Sequence, residues 1–356
     1  MDDRNLEQAL RRWGRTAFAF DALQARERYA FYSSQRVPGA AVPYRQIGSV
    51  DAVVGEPLCP EEALPEVVAE FLASRQQAGR RVLGFCASEA FARAAVAAGA
   101  AAAQMTSEPE LDPATYEPVG GSAKKLRVYV RRLRRQGIEA TGLPAGTAQV
   151  PAEFRRDADA LIDLWRRRAV GRAAHILEVD PWLRAAEKRY FAVYDPKTTD
   201  RMWSLLIAHP VYPLDGWHLC HLIRDPEAPK GVTELVVMSA IETLGDEGVR
   251  YATFGPFASP RAGEFLGFGR IAEGLVRRAY DFAATTGGYG SSVEFYRKVQ
   301  AGPWRPRYMI IFPRRAVVRC YYALLRLSHV FGFLGQGEGG GRKRGGVETA
   351  PEPDAA

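Results

Sequence analysis

The chain lacks most of the local signatures that would fix a chemistry at once. Its four cysteines, Cys59, Cys86, Cys220 and Cys320, are scattered through 356 residues with no CxxC pair. That spacing indicates neither a zinc site nor a disulfide framework, and a reducing compartment is the default. No run of 18 uncharged apolar residues occurs, so no transmembrane span is expected. The N-terminal MDDRNLEQALRRWG is polar and charged, unlike a secretory signal. There is no HExxH or other metal spacing, no Ser-His-Asp order, and no strict P-loop or dinucleotide fingerprint. No metal and no cofactor are therefore expected, and the expected location is the cytoplasm.

What is present is a chain able to build real cores. Hydrophobic residues make up 47%, which excludes wholesale disorder. The length fits two ordinary domains or one large one. The formal net charge of +7 suits nucleic acid or an anionic membrane face, although many enzymes with neutral substrates share it.

Read in order, residues 4–32 pattern as one or two helices. Tyr44–Gly48 and Val50–Val54 read as a hairpin around Gly48-Ser49. Glu61–Ala78 is a helix, Val82–Cys86 a strand, Glu89–Ala102 an alanine-rich helix and Ala103–Leu111 another strand. This alternation makes the first third an α/β or α+β lobe. The second half loosely repeats it. Glu153–Arg168 and Trp182–Arg189 pattern as helices, Tyr190–Tyr194 begins a sheet, and Met202–His209 and Trp217–Arg224 read as adjacent antiparallel strands. Leu275–Phe282 reads as strand or short helix, Thr285–Ser292 as a loop, Val293–Val299 as helical and Arg307–Phe312 as the final strand. Two similar lobes are the expected architecture: 1–120 and 150–315, with a connector at 121–149. A C-terminal helix at 316–334 and a disordered tail at 335–356 follow.

Arg224–Pro256 holds the chemistry-bearing unit. A polar turn over Arg224–Gly231 precedes a helix whose apolar positions are Val232, Leu235, Val236, Ala240, Ile241 and Leu244, and Val249–Phe254 then reads as a strand. Free amides at a helix start hold an anion or an ester oxygen; Arg224, Lys230 and Gly231 add charge and close backbone approach. His221 is a candidate proton acceptor. It shares a face with Arg224 only if the strand breaks near Arg224, because odd spacing puts side chains on opposite faces. Glu234 starts the helix. Arg297-Lys298 and Arg305 flank the WRPRY segment and are candidate contacts to an acidic or carbonyl group.

Two helices offer surfaces. Residues 122–136, SAKKLRVYVRRLRRQ, carry seven positive charges and no acid. Lys124, Lys125, Arg127, Arg131, Arg132, Arg134 and Arg135 occupy one half of the wheel, and Leu126, Tyr129, Val130 and Leu133 the other. A polyanion, either phosphate backbone or lipid headgroups, is the natural partner. In the 316–334 helix, Arg315, Arg319 and Arg326 fall within about 40° of one another. The rest is apolar, which fits packing on the body or lying in a membrane surface. A coenzyme-A-type loop is nearly matched by Glu264-Phe-Leu-Gly267-Phe-Gly269, but an acid beside a pyrophosphate is unfavourable.

With these segments in hand, the chain from about Trp13 to Pro313 resembles the C-terminal synthase domain of bacterial phosphatidylglycerol lysyltransferases. The carriers are YRQIGSVDAVVGEPLCP (Tyr44–Pro60), GSAKKLRVYVRRLRRQG (Gly121–Gly137), RDPEAPKGVTEL (Arg224–Leu235), VRYATFGPF (Val249–Phe257) and WRPRYMIIFP (Trp304–Pro313). The resemblance implies two tandem acetyltransferase-like (GNAT-type) lobes with mixed, largely antiparallel sheets flanked by helices. It implies transfer of an amino acid from aminoacyl-tRNA to a lipid hydroxyl, with peripheral contact at the inner face of the membrane. His221 stands where these enzymes usually carry Asp, and Arg224 matches their Arg. Their Tyr-Lys-x-Lys-Phe segment appears as Tyr296-Arg297-Lys298-Val299-Gln300, with Lys298 in the second Lys role after a slip of one residue. The implied roles are catalytic for His221, Arg224, Glu234 and Lys298, and substrate-binding for Lys230, Gly231, Arg297 and Arg305. Lys124, Lys125, Arg127, Arg131, Arg132 and Arg135 would meet tRNA or headgroups. Transfer to a non-lipid acceptor, acyl-CoA-dependent N-acyl transfer and a non-catalytic tRNA- or lipid-binding module are the rival expectations.

Overall fold

The computed structural model describes residues 3–147, 149–168, 180–259, 261–286, 295, 297–299 and 302–327. The expectations for the 287–292 loop and the 335–356 tail lie outside these residues. The chain opens with helices α1 (Asp3–Trp13) and α2 (Ala19–Gln24). Strands β1 (Ala30–Ser33), β2 (Ala41–Ile47) and β3 (Val50–Val54) follow. β2 and β3 form the expected hairpin, Ile47 opposite Val50 across Gly48-Ser49. Next come α3 (Leu64–Gln77), β4 (Arg81–Ala87), α4 (Glu89–Ala97) and β5 (Ala101–Leu111). Helix α4 is shorter than its alanine content predicts. Gly99 takes a φ of 98°, which ends the helix, and Ala101–Ala103 enter the sheet.

The connector holds α5 (Lys124–Arg135) and a short β6 (Ala140–Gly142). The second half adds α6 (Ala152–Arg168), β7 (Arg189–Asp195), β8 (Thr198–Val211) and β9 (Gly216–Arg224). It continues with α7 (Val232–Asp246), β10 (Ala252–Thr253), β11 (Phe257–Ala258), β12 (Phe265–Leu266) and α8 (Arg270–Thr286). β13 (Trp304–Phe312) and α9 (Val317–Leu327) close it. The helix expected over Trp182–Arg189 is instead a turn with one 3-10 turn at Ala185–Glu187, and Arg189 already belongs to β7. Arg184 sits at a left-handed φ of 56°, which no continuous helix accommodates. Leu275–Phe282 resolves as helix, within α8. Only Ala252–Thr253 of the expected strand Val249–Phe254 pairs.

The strands form one sheet in the order β1-β2-β3-β4-β13-β5-β10-β9-β8-β7-β6. It is mixed and largely antiparallel, flanked by helices. Each half has one parallel step made by a helix crossover: β3–α3–β4 in the first and β9–α7–β10 in the second. This is the structural form of the loose repeat in the sequence. The final strand, expected with the second lobe, is inserted into the first half, between β4 and β5. Its alternation explains the position. Ile310 and Phe312 join a core with α3 and α4, while Met309 and Ile311 join a core with α8 and α9 on the opposite face. The second half is layered likewise, with α5 and α7 over one face and α6 over the other.

Candidate functional site: an acidic pocket backed by histidines

A regular antiparallel register decides where the sequence candidates go. His221 pairs with Ile207 and Arg224 with Ser204, with no shift between them. Side chains alternate along such a strand, so His221 and Arg224 lie on opposite faces of β9. The irregularity falls one residue earlier. β9 advances from Leu219 to His221 while β8 moves only from Ala208 to Ile207. Cys220 is thus the extra residue of a β-bulge, a device that re-aims side chains. The bulge brings His221 to the same face as His218 and His209.

These three histidines are buried. The ring of His209 lies 5.3 Å from that of His221 and 6.3 Å from that of His218. Cys220 Sγ is 3.3 Å from His221 Nε2. His218 Nδ1 donates to the Ala17 carbonyl at 2.8 Å. Gly255 (φ 75°) is needed beside it, because a Cβ there would meet His218 Nε2 at 2.6 Å. Asp21, from α2, reaches His209 Nδ1 at 3.4 Å. Burial dominates the protonation of this cluster. It holds His209 well below its usual pKa, with Lys188 and His218 adding to the effect. It also raises Asp21 to about 7, against the pull of His218 and Lys188, and lowers Lys188 to about 8, against Asp180 and Asp21.

Asp21 is also the floor of a pocket of about 520 Å³ between α2, α6 and the Asp180–Leu183 turn. Five carboxyl groups line it, Asp21, Glu27, Asp159, Asp163 and Asp180, against three guanidinium groups, Arg28, Arg45 and Arg166. Trp182 fixes part of the wall: its Nε1 donates to Asp159 Oδ1 at 2.8 Å, and its backbone N–H donates to Asp180. Sequence reasoning missed this pocket. Asp159 and Asp163 lie four apart on α6 and share a face, which was the available signal; Asp21 and Asp180 come from distant segments.

The remaining candidates collect on the other face. Arg224 donates to the Ala228 carbonyl, bracing the turn before α7. Gly231 caps α7 at φ 101°, and a Cβ there would meet Tyr129 Cβ of α5 at 2.7 Å. Arg132 donates to the Lys230 carbonyl at 2.5 Å. Glu234, in the first turn of α7, is buried. α5 docks through Leu126, Val130 and Leu133, as its pattern predicts. Three of its cations are engaged: Arg127 with the Pro118 carbonyl, Arg132 with Lys230 and Arg134 with Glu242. Lys124, Lys125, Arg131 and Arg135 are exposed, and their side chains make no ion pair or hydrogen bond among the described residues. Arg297 is exposed and Lys298 half-buried, next to Val299, whose carbonyl accepts from Tyr116. Arg305 pairs with Glu110 at 3.0 Å. Glu264 accepts from Tyr308 at 2.8 Å, so the near-miss loop spends its acid on an internal contact.

The sequence matches the profile of the family described as phosphatidylglycerol lysyltransferase, C-terminal, over residues 7–310. The chain belongs to that family. A lysylphosphatidylglycerol biosynthesis bifunctional protein LysX from Rhodococcus jostii is 28% identical over 301 residues, 80% of this chain and 25% of that one. The LysX protein of Nocardia farcinica is 27% identical over 291 residues, with 79% and 25% coverage. The chain thus spans about a quarter of the length of these relatives. Among solved structures, L-PGS from Bacillus licheniformis superposes with a TM-score of 0.69 at 17% identity, covering 92% of this chain and 97% of that one. The C-terminal domain of a putative lysylphosphatidylglycerol synthetase from Agrobacterium fabrum gives 0.70 at 16%, with 92% and 96% coverage. These likenesses establish the shared fold.

Proposed function

We propose that the protein transfers an amino acid from aminoacyl-tRNA to a hydroxyl of a membrane lipid, with a cationic amino acid as the group moved and a phosphatidylglycerol-like lipid as acceptor. The family match across residues 7–310 carries this reading, and the names of the LysX relatives point to lysine and phosphatidylglycerol. The acidic excess of the pocket supports the cationic group. Glu27 has Arg28 at 3.6 Å and Asp163 has Arg166 at 3.8 Å, whereas Asp159 and Asp180 face the pocket without an ion pair among the described residues.

The chemistry needs no redox partner. The lipid hydroxyl oxygen attacks the ester carbonyl carbon. A new ester C–O bond forms, the bond to the tRNA ribose oxygen breaks, and the hydroxyl proton ends on that ribose oxygen. The exposed stripe of Lys124, Arg131 and Arg135 on α5 offers a place for tRNA phosphates. The opposition of His221 and Arg224 across β9 means that they do not act on one carbonyl together; Arg224 holds the 225–231 turn instead. Peripheral membrane contact is part of this reading. No helix among the described residues is long and apolar enough to cross a membrane, but α8 and α9 pack on one face of the first half and turn Ile271, Leu275 and Val318 outward.

The test is incubation of the purified protein with phosphatidylglycerol vesicles and tRNA charged with radiolabelled lysine, with and without RNase. RNase-sensitive label in the lipid is the expected result. Label from arginine or another amino acid, but not lysine, would move the donor. No lipid label from any charged tRNA would overturn the proposal. In an active preparation, Asp159→Asn and Asp163→Asn together should raise KM for lysyl-tRNA more than they lower kcat.

A further inference from the structure

The cluster behind the pocket floor has more buried polar atoms than hydrogen bonds. Neither ring nitrogen of His209 has a hydrogen-bond partner, nor does Asp21 Oδ2. His209 is 0% and Asp21 2% exposed. A buried polar group left unsatisfied is costly, and several in one place point to a ligand that completes them. The neighbours are good metal donors. The donor atoms of His209, Cys220 and His221 all lie within 4.8 Å of one another, and Asp21 Oδ1 is 3.4 Å from His209 Nδ1.

We propose that His209, Cys220 and His221 bind one zinc ion. Two imidazoles and a thiolate form a nitrogen and sulfur set that zinc accepts in tetrahedral geometry with one further ligand. The bulge at Cys220 gives the site a structural reason, because it places adjacent residues of one strand at the same ion as His209 of the next. On binding, the Cys220 thiol releases its proton to solvent. The thiolate and the Asp21 carboxylate then balance the two positive charges. Lys188 is the opposing cation nearby, and its ammonium is drawn off by the Asp180 carbonyl. His209 and His221 are buried and Cys220 partly so, and the ion is assigned a structural role: it ties β8 to β9 beside Asp21. This assignment goes beyond the transferase reading, does not depend on it, and takes His221 out of the proton-accepting role.

The experiment uses tag-free full-length protein, loaded with stoichiometric zinc and passed through a desalting column. Elemental analysis should find about one zinc per chain. Cys220→Ser and His209→Ala should each retain less than a tenth of it, and Cys59→Ser should retain it in full. Cobalt substitution should give a thiolate-to-cobalt charge-transfer band. This readout needs only the wild-type protein, should the variants fail to fold. No bound zinc in the wild type, a cobalt-loaded protein without the band, or a folded Cys220→Ser variant that binds like the wild type would overturn the assignment. None of these readouts involves aminoacyl transfer, so failure here and failure of the transferase reading are separable.

Discussion

Arg307 Nε donates to Glu108 Oε2 at 2.6 Å, both side chains nearly out of solvent, and the pair joins the last strand of the sheet to β5. Glu108 also accepts from Thr253 of β10 at 2.8 Å, so one carboxylate links the inserted strand to the second half. Removing one partner of a buried pair leaves the other charged and unpaired, which costs about 3–5 kcal/mol. Arg307→Ala should therefore lower stability in urea unfolding by that order. Replacing both residues with apolar ones of similar size should recover most of the loss. A change below about 1 kcal/mol in the single variant would contradict this role.

The charges of α5 divide into two groups with separable effects. Reversing Lys124, Arg131 and Arg135 to Glu should weaken tRNA binding and flatten its dependence on salt, by about 0.7–0.9 in the log–log slope for each phosphate that is no longer neutralised. Arg132→Ala should leave that slope nearly unchanged and instead loosen the turn at Lys230. Filter binding across a salt series distinguishes the two; equal slopes for wild type and the triple variant would exclude α5 as the phosphate-binding surface.

Helix α9 presents Val318 at 81% exposure, with Ile271 and Leu275 of α8 also outward. Such apolar positions among arginines suit an anionic bilayer surface. Val318→Asp with Leu275→Asp should reduce sedimentation with phosphatidylglycerol vesicles severalfold without changing the circular dichroism spectrum. Unchanged co-sedimentation would place the membrane contact elsewhere.

Glu247 supplies a pH prediction. Its hydrogen bond from Arg189, at 2.5 Å, holds its pKa below the ordinary 4.5 despite some burial. A carboxylate with a depressed folded pKa contributes stability above the unfolded value and loses it as pH falls through the folded one. Glu247→Gln should therefore be less stable than wild type at pH 7, and the gap should close as pH drops below about 4.5. Thermal melts at a series of pH values check this; a gap that widens on acidification has the wrong sign.

Much of the fold follows from local pattern. The 48–49 hairpin, the α3 and α7 crossovers and the docked face of α5 were legible because apolar period and turn residues report burial directly. Leu126, Val130 and Leu133 are buried as their spacing requires. The misreadings lie where a single backbone feature overrides composition, as with Gly99 ending α4 and Arg184 breaking the 182–189 stretch.

By itself, the sequence determined the class, the basic helix and the family resemblance, since these rest on residues close together in the chain. Tertiary structure alone decided the site. One bulge at Cys220 sets which side chains face His209, and a regular register after it sends Arg224 to the far side of the sheet. Asp21, Asp159 and Asp180 meet only because α2, α6 and a turn converge on one pocket. Likewise, β13 finds its place between β4 and β5 through non-local pairing. Short-range periodicity carries no information about which distant segments meet, because long-range packing and hydrogen bonding of whole strands select those partners.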